Sequence, residues 1–251
     1  MRRKAFYLAA AAILLASATA LAITYGQPDG NRHPEVGALV GAFSSGSFPY
    51  CSGTLVSPTV FVTAAHCNIG TTTVYVTFDT KYSSKAKLYR GTFYFDPQYN
   101  QAQDDPHDLA VVVFDKPVNG IAPARLPAAG QFDGLPADQK FTAVGYGGQE
   151  PVNQPGGPVI GYLDTREFAV STLNALTPAW LRLSQNAATG NGGTCYGDSG
   201  GPNFLGAGAK ETNIVAGTTI TGDALCKSTN VDYRLDTPSA RAFLGGFVNL
   251  P

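Results

Sequence analysis

Charged side chains make up only 14% of the 251 residues, and 17 basic against 18 acidic groups leave a formal net charge of -1. A surface so lightly and evenly charged gives a polyanion nothing to hold, which removes nucleic-acid binding from consideration. A long hydrophobic run is also missing. The apolar stretch from Ala5 to Leu15 falls short of the ~20 residues that a membrane span needs. Cysteine is scarce: there are four, no two in CxxC spacing, so the usual framework of a structural zinc site is absent. No internal repeat points to a solenoid. What the chain has in quantity is Gly (29) and Pro (17), together with 44% hydrophobic residues. That mixture describes a globular protein with many turns, and it suits an all-β fold better than a helical one.

The N-terminus reads as an export signal. Arg2, Arg3 and Lys4 form a positive segment, Ala5 to Leu15 an apolar one, and Ala20-Leu21-Ala22 a small-x-small cleavage site. Residues 1–22 are therefore expected to be a signal peptide, and the chain from 23 to 251 a secreted, extracellular domain beginning Ile23-Thr24-Tyr25-Gly26. In an oxidising compartment four cysteines are expected to form two bridges, with three connectivities open. A Cys51–Cys67 bridge would close a loop of about 15 residues, worth ~3 kcal/mol in the chain-entropy picture, and would hold His66 in place.

Short apolar or alternating runs follow at close intervals: Gly37–Phe43, Ser52–Ser57, Val60–Thr63, Thr72–Phe78, Leu88–Phe95 and Leu109–Phe114. Alternation is plainest in Thr73-Val74-Tyr75-Val76-Thr77-Phe78, whose β-branched and aromatic residues favour a strand. The stretch from Asp115 to Pro136 has no period and is rich in Pro, Ala and Gly, as a crossover would be. A second series of runs covers Lys140–Tyr146, Tyr162–Ser171, Trp180–Ser184, Asn213–Thr219 and Val231–Leu235, with Gln149–Pro158 expected as an exposed loop. Residues 23–125 are thus expected to form one β unit and the start of the crossover, and 126–251 a second. At the end, Thr237 before Pro238 predicts a helix start, with Ala242, Phe243, Phe247 and Leu250 as the docking face.

Three motifs carry chemistry. In Gly192-Gly193-Thr194-Cys195-Tyr196-Gly197-Asp198-Ser199-Gly200-Gly201-Pro202, glycines permit a tight turn that exposes Ser199 and aims consecutive N–H groups into one small space. A flexible linker would seldom carry a cysteine and an aromatic inside the run. Thr63-Ala64-Ala65-His66-Cys67 ends a strand with a histidine, the side chain suited to act as a general base near neutral pH. In His107-Asp108-Leu109-Ala110, Asp108 stands at the mouth of an apolar strand, where an ionised carboxylate is costly unless a group such as a histidine N–H satisfies it.

Taken together, these motifs resemble the chymotrypsin-like (trypsin-type) serine proteases, in the chain order His, Asp, Ser. The resemblance covers Ile23 to Pro251. It implies two six-stranded antiparallel β-barrels with a C-terminal α-helix and an active site between the barrels. It implies Ser199 as nucleophile, His66 as base and acid, Asp108 as the orienting carboxylate, and Gly197 and Ser199 as oxyanion-hole donors. It also implies bridges Cys51–Cys67 and Cys195–Cys226, and an activation ion pair between a freed Ile23 amine and Asp198. Cleavage after Ala22 would release that amine directly. Tyr25 stands where the family's N-terminal motif usually has glycine.

Substrate-binding positions implied by the same resemblance are Gly193, Thr194, Thr221 and Gly222, with Gly193 at the pocket base, where a trypsin-like enzyme has aspartate. Val231 would make the pocket shallow and apolar, whereas Asp232 would restore some preference for a cation; the expectation is an uncharged P1 side chain. Ile220 replaces a serine that often supports the catalytic aspartate, leaving Thr219 or Thr221 for that role. The expected partners are protein or peptide substrates and protein inhibitors of a monomeric chain, with no membrane after signal removal. No metal and no cofactor is needed. The expected activity is a secreted serine endopeptidase; the alternatives are a catalytically silent binding module and an esterase using the same groups.

Overall fold

Strand-forming residues at period two close each half of the chain on itself. The computed structural model describes residues 23–100 and 104–251, so the expected signal segment lies outside the described residues. After a two-residue strand β1 (Gln27–Pro28) come β2 (Val36–Phe43), β3 (Gly46–Ser57), β4 (Val60–Thr63), β5 (Thr73–Thr77), β6 (Tyr89–Phe95) and β7 (Ala110–Phe114). Antiparallel pairing in the order β2-β3-β4-β7-β6-β5, with β5 returning to β2, makes a closed six-stranded barrel. In β5 the alternation is visible directly: Val74 and Val76 are buried while Thr73 and Tyr75 face out. Phe61, Phe78 and Phe114 fill the interior with ring centroids 5.8–6.2 Å apart, spacings at which tilted and edge-on aromatic pairs attract. Gly53 in β3 has no room for a side chain, because a Cβ there would overlap the Phe61 ring and the Val62 carbonyl.

The second half supplies β8 (Lys140–Gly145), β9 (Val152–Gln154), β10 (Gly157–Val159), β11 (Glu167–Leu176), β12 (Trp180–Ser184), β13 (Pro202–Leu205), β14 (Val215–Gly222) and β15 (Thr229–Arg234). The ring β8-β11-β12-β15-β14-β13 closes through pairing of β13 with β8, and β1 adds to the edge of β11. The expected loop at 149–158 holds most of the small hairpin β9–β10, turned at Pro155-Gly156, with Gly156 and the first residue of β10, Gly157, at positive φ. The expected strand from Tyr162 begins only at Glu167, and β13, which starts at a proline, carried no strand signal at all.

Helix α1 (Pro238–Leu244) is capped by the Thr237 hydroxyl, which accepts from the Ala240 N–H. Its buried face is Ala240 and Leu244; Ala242 is exposed, and Phe243, Phe247 and Leu250 pack half-buried against the core. The helix is shorter than the apolar stripe implied, ending at Gly245.

Polar groups tie the start of the chain to the second barrel. Arg166 is fully buried; its Nε donates to Asp29 at 2.9 Å, and its Nη1 donates to the carbonyls of both Val36 and Phe78. His33 bridges two carboxylates, Asp29 on Nδ1 and Glu211 on Nε2 at 2.8 Å. Burial pulls the His33 pKa down, but these two partners raise it further, so its net shift is upward.

Candidate active site

β4 and β7 are antiparallel neighbours, with Thr63 opposite Ala110. The residues just beyond Thr63 and just before Ala110 therefore leave the barrel at the same end. A 3-10 turn, Ala65–Cys67, presents His66, and Asp108 stands two residues before β7. The Asp108 carboxylate accepts twice from one residue: the His66 backbone N–H donates to Oδ1 at 2.9 Å, and the ring Nδ1 lies 2.7 Å from Oδ2. Asp108 is 6% exposed, so these two bonds answer the desolvation its position would otherwise cost. They also fix the ring orientation and leave Nε2 as the free nitrogen. The Cys51–Cys67 disulfide joins β3 to the turn beside His66.

Ser199 comes from the second barrel, in the turn that precedes β13. Gly197 (φ 96°) and Gly200 (φ 82°) bracket it in the left-handed region, where glycine is at ease. The turn is docked on both sides: the Ser199 carbonyl accepts from Ser52 N–H in β3 at 2.8 Å, and Gly200 N–H donates to Thr219 in β14 at 2.7 Å. Neither the Gly197 nor the Ser199 N–H has an acceptor among the described residues. His66 and Ser199 line two adjoining cavities together. No hydrogen bond joins their side chains.

One of these cavities, about 410 Å³, is lined by Thr194, Ile220, Thr221 and Gly222 among others. Gly193 is not in its lining. The space a Gly193 side chain would take is filled by the buried Gln185, whose amide oxygen a Cβ at 193 would overlap. Asp232 does not reach the cavity either. It is fully buried inside the second barrel, accepting from Asn203 at 2.6 Å and Thr219 at 3.0 Å. Burial pushes its carboxyl up to about 8, against the lowering effect of Thr219 and Asn230. With its hydroxyl committed to Asp232, Thr219 does not support Asp108, and Thr221 is exposed. The other cavity, about 770 Å³, is walled by Phe48, Tyr50, Ile69, Tyr162 and Tyr196.

Asp198 is fully buried, and burial pushes its carboxyl up to about 7 despite backbone bonds from Cys195 and Gly147. Its oxygens accept from the Gly147 and Cys195 N–H groups at 2.7 and 2.8 Å. The Ile23 side chain is fully buried beside Ala143 and Ala169 of the second barrel. Its nitrogen is here the peptide nitrogen after Ala22. The second bridge, Cys195–Cys226, ties the Ser199 turn to the loop after β14. Cys51, His66 and Cys67 cluster closely enough for a metal, but both sulfurs are in a disulfide and neither is the thiolate a metal binds.

Residues that the motifs did not disclose complete the site. Ser52 Oγ donates to the Gly197 carbonyl at 3.0 Å and accepts from Tyr146 N–H at 3.1 Å, so it braces the turn bearing the free N–H groups. Gly145 and Gly147 leave room for the Asp198 carboxylate, which a Cβ at either would overlap. The run Gly145-Tyr146-Gly147-Gly148 was the signal available for that close approach.

A family model described as trypsin matches residues 29–243. The chain is 30% identical over 184 residues to a trypsin of Phaedon cochleariae, an alignment covering 61% of this chain and 63% of that protein. It is 29% identical over 181 residues to a trypsin of Saccharopolyspora erythraea, covering 68% and 75%. Over 178 residues it is 28% identical to the thrombin-like enzyme acutin of Deinagkistrodon acutus, covering 65% and 72%. The matched region thus spans slightly less than two thirds of the Phaedon protein.

Proposed function

Because the chain belongs to the trypsin family of chymotrypsin-like serine proteases, we propose that it is a secreted endopeptidase working through Ser199, His66 and Asp108. The observation that carries this reading is that His66, doubly bonded to Asp108, lines the same two cavities as Ser199. Ser199 Oγ attacks the scissile carbonyl while His66 Nε2 takes its proton, and Asp108 stabilises the imidazolium that results. The oxyanion of the tetrahedral intermediate is received by the Gly197 and Ser199 N–H groups, whose lack of any other acceptor supports this role. Collapse breaks the C–N bond, His66 returns the proton to the departing amine, and an acyl-enzyme on Ser199 remains. Water then repeats the sequence and frees the acid. The chemistry calls on no cofactor.

Activation belongs to the same proposal. Cleavage before Ile23 would free the amine that the family resemblance pairs with Asp198, and that opposite charge would lower the raised pKa of the buried carboxyl. For the P1 side chain, Thr194, Ile220 and Gly222 give uncharged walls, the Asp232 carboxyl is held away inside the barrel, and the carboxylate that does line the cavity, Asp223, is taken up by the N–H groups of Lys227, Ser228 and Thr229, which together favour an uncharged group.

The test is hydrolysis of casein alongside a short p-nitrophenyl ester by secreted protein whose N-terminus has been sequenced. Casein cleavage by chains beginning at Ile23 is the expected result. Ester hydrolysis without casein cleavage would make the protein an esterase, and activity of neither kind with a free Ile23 would make it a binding module.

A further inference from the structure

His107 belongs to the His-Asp-Leu-Ala motif, yet the chemistry above leaves it unused. Its backbone lies at φ 50°, a left-handed region that glycine enters freely and other residues uncommonly, asparagine, aspartate and histidine more often than the rest. Such a conformation persists only where the surroundings hold it. Immediately after it, Asp108 is the apex of a tight turn in which the Leu109 N–H donates to the His107 carbonyl at 2.8 Å. The left-handed residue sends neighbouring side chains to separate partners: Asp108 meets His66, while the His107 ring Nδ1 lies 3.0 Å from Asp96 Oδ2.

Asp96 is a fixed anchor. It is 2% exposed, its other oxygen accepts from the Gln98 N–H at 2.9 Å, and its own N–H donates to the Leu109 carbonyl at 2.9 Å. On the other side of the ring, His107 Nε2 is 3.7 Å from Asp105 Oδ2. Asp105 in turn accepts from the Tyr233 hydroxyl at 2.7 Å, which lies 3.0 Å from Ser239 Oγ. Tyr233 is a fully buried residue of β15 and Ser239 belongs to α1. The loop bearing Asp108 is therefore moored in the first barrel through Asp96 and to the second barrel and helix through Asp105.

We propose that His107 is a positioning residue: held by Asp96 and flanked by Asp105, it fixes the left-handed turn that aims the Asp108 carboxylate at His66. The inference rests on the role proposed for Asp108. Displacing a catalytic group by even ~1 Å can slow chemistry greatly while leaving substrate contacts alone, so the effect belongs in kcat and not in KM.

The experiment compares His107→Ala, His107→Gly and His107→Asn in the activated protein. The readouts are kcat per titrated active site, KM, thermal midpoint, and the downfield proton resonance of the His66 Nδ1–H. Alanine disfavours the turn and loses the anchor; glycine accepts the turn and loses the anchor; asparagine accepts the turn and offers Asp96 an amide donor. Alanine and glycine are both expected to lower kcat on the order of tenfold or more, with KM within about twofold and the His66 resonance shifted or broadened. Asparagine is expected to restore most of kcat and the resonance. Wild-type kcat and an unmoved resonance in the glycine variant would overturn the proposal, as would losses that merely follow the thermal midpoints. Because the resonance needs no turnover, it reads the geometry even if the wild-type protein proves inactive, which would instead count against the protease reading.

Discussion

The two barrels share a strand plan and differ in what they bury. Inside the first are Val36, Leu39, Leu55, Phe61, Val74, Val76, Phe93 and Val112, a nearly unbroken apolar filling. Inside and around the second lie Thr142, Arg166, Gln185, Asp198, Asn203, Thr219, Asn230 and Asp232, all essentially without solvent exposure. Apolar packing is non-directional and indifferent to pH, whereas buried polar groups stabilise only when each finds its partner and holds its protonation state. The first barrel is thus a stiff frame that projects His66 and Asp108 from adjacent strand ends. The second carries the Ser199 turn, the buried Asp198 and the cavity wall at Thr221 and Gly222, where hydrogen bonds set the geometry together with apolar packing by residues such as Phe141, Leu181 and Phe204.

The largest expected effect tests the frame. Phe61→Ala removes a fully buried ring from the first barrel and is expected to cost about 3–5 kcal/mol in urea unfolding, by nearly the same amount at pH 5 and pH 8. A cost that changed steeply with pH would erase the contrast drawn between the barrels.

A smaller effect sharpens the other side. Asp232 has its folded-state pKa raised to about 8 by burial, well above the ~3.9 of an unfolded aspartate. The native chain then holds a proton that the unfolded chain releases, so stability is fullest below the unfolded pKa and is lost as pH climbs toward the folded one. Between about pH 4 and 8, this residue makes stability fall as pH rises, by on the order of 1 kcal/mol per pH unit. Asp232→Asn, close in shape to the protonated acid, is expected to flatten that part of the slope in urea titrations across the range. Asp198 and Glu35, both raised by burial, keep some of the slope in the variant. An unchanged slope would mean that Asp232 is not the neutral acid its surroundings imply.

The same contrast explains how much was legible beforehand. In the second half β8 and β12 were found equally well; in the first, period-two alternation found β4 at its observed ends and β2, β5, β6 and β7 to within a residue or so of theirs, with β3 starting at Gly46 instead of Ser52. Residues there face either the apolar core or water, and the pattern records it. In the second half, β13 begins at Pro202 and carries Asn203 inward, and β15 buries Asn230 and Asp232. A polar residue pointing into a polar core leaves no alternation to read, so Asp232 read equally well as a pocket residue. The motif residues His66, Asp108 and Ser199 were visible because each breaks its local pattern for a chemical reason. Their supports, Ser52 and Tyr146, were not, since a hydrogen bond between segments about 94 residues apart, such as Ser52 with Tyr146, leaves no trace in local spacing.

The central claim is that Ser199 is an activated nucleophile set between the barrels, and intact-mass spectrometry after reaction with a fluorophosphonate tests it most directly. One adduct per chain, located on Ser199, formed by protein with a free Ile23 and lost in Ser199→Ala, is the expected result. A correctly processed, folded wild-type chain that takes no adduct, or a Ser199→Ala variant that takes it equally well, would contradict it.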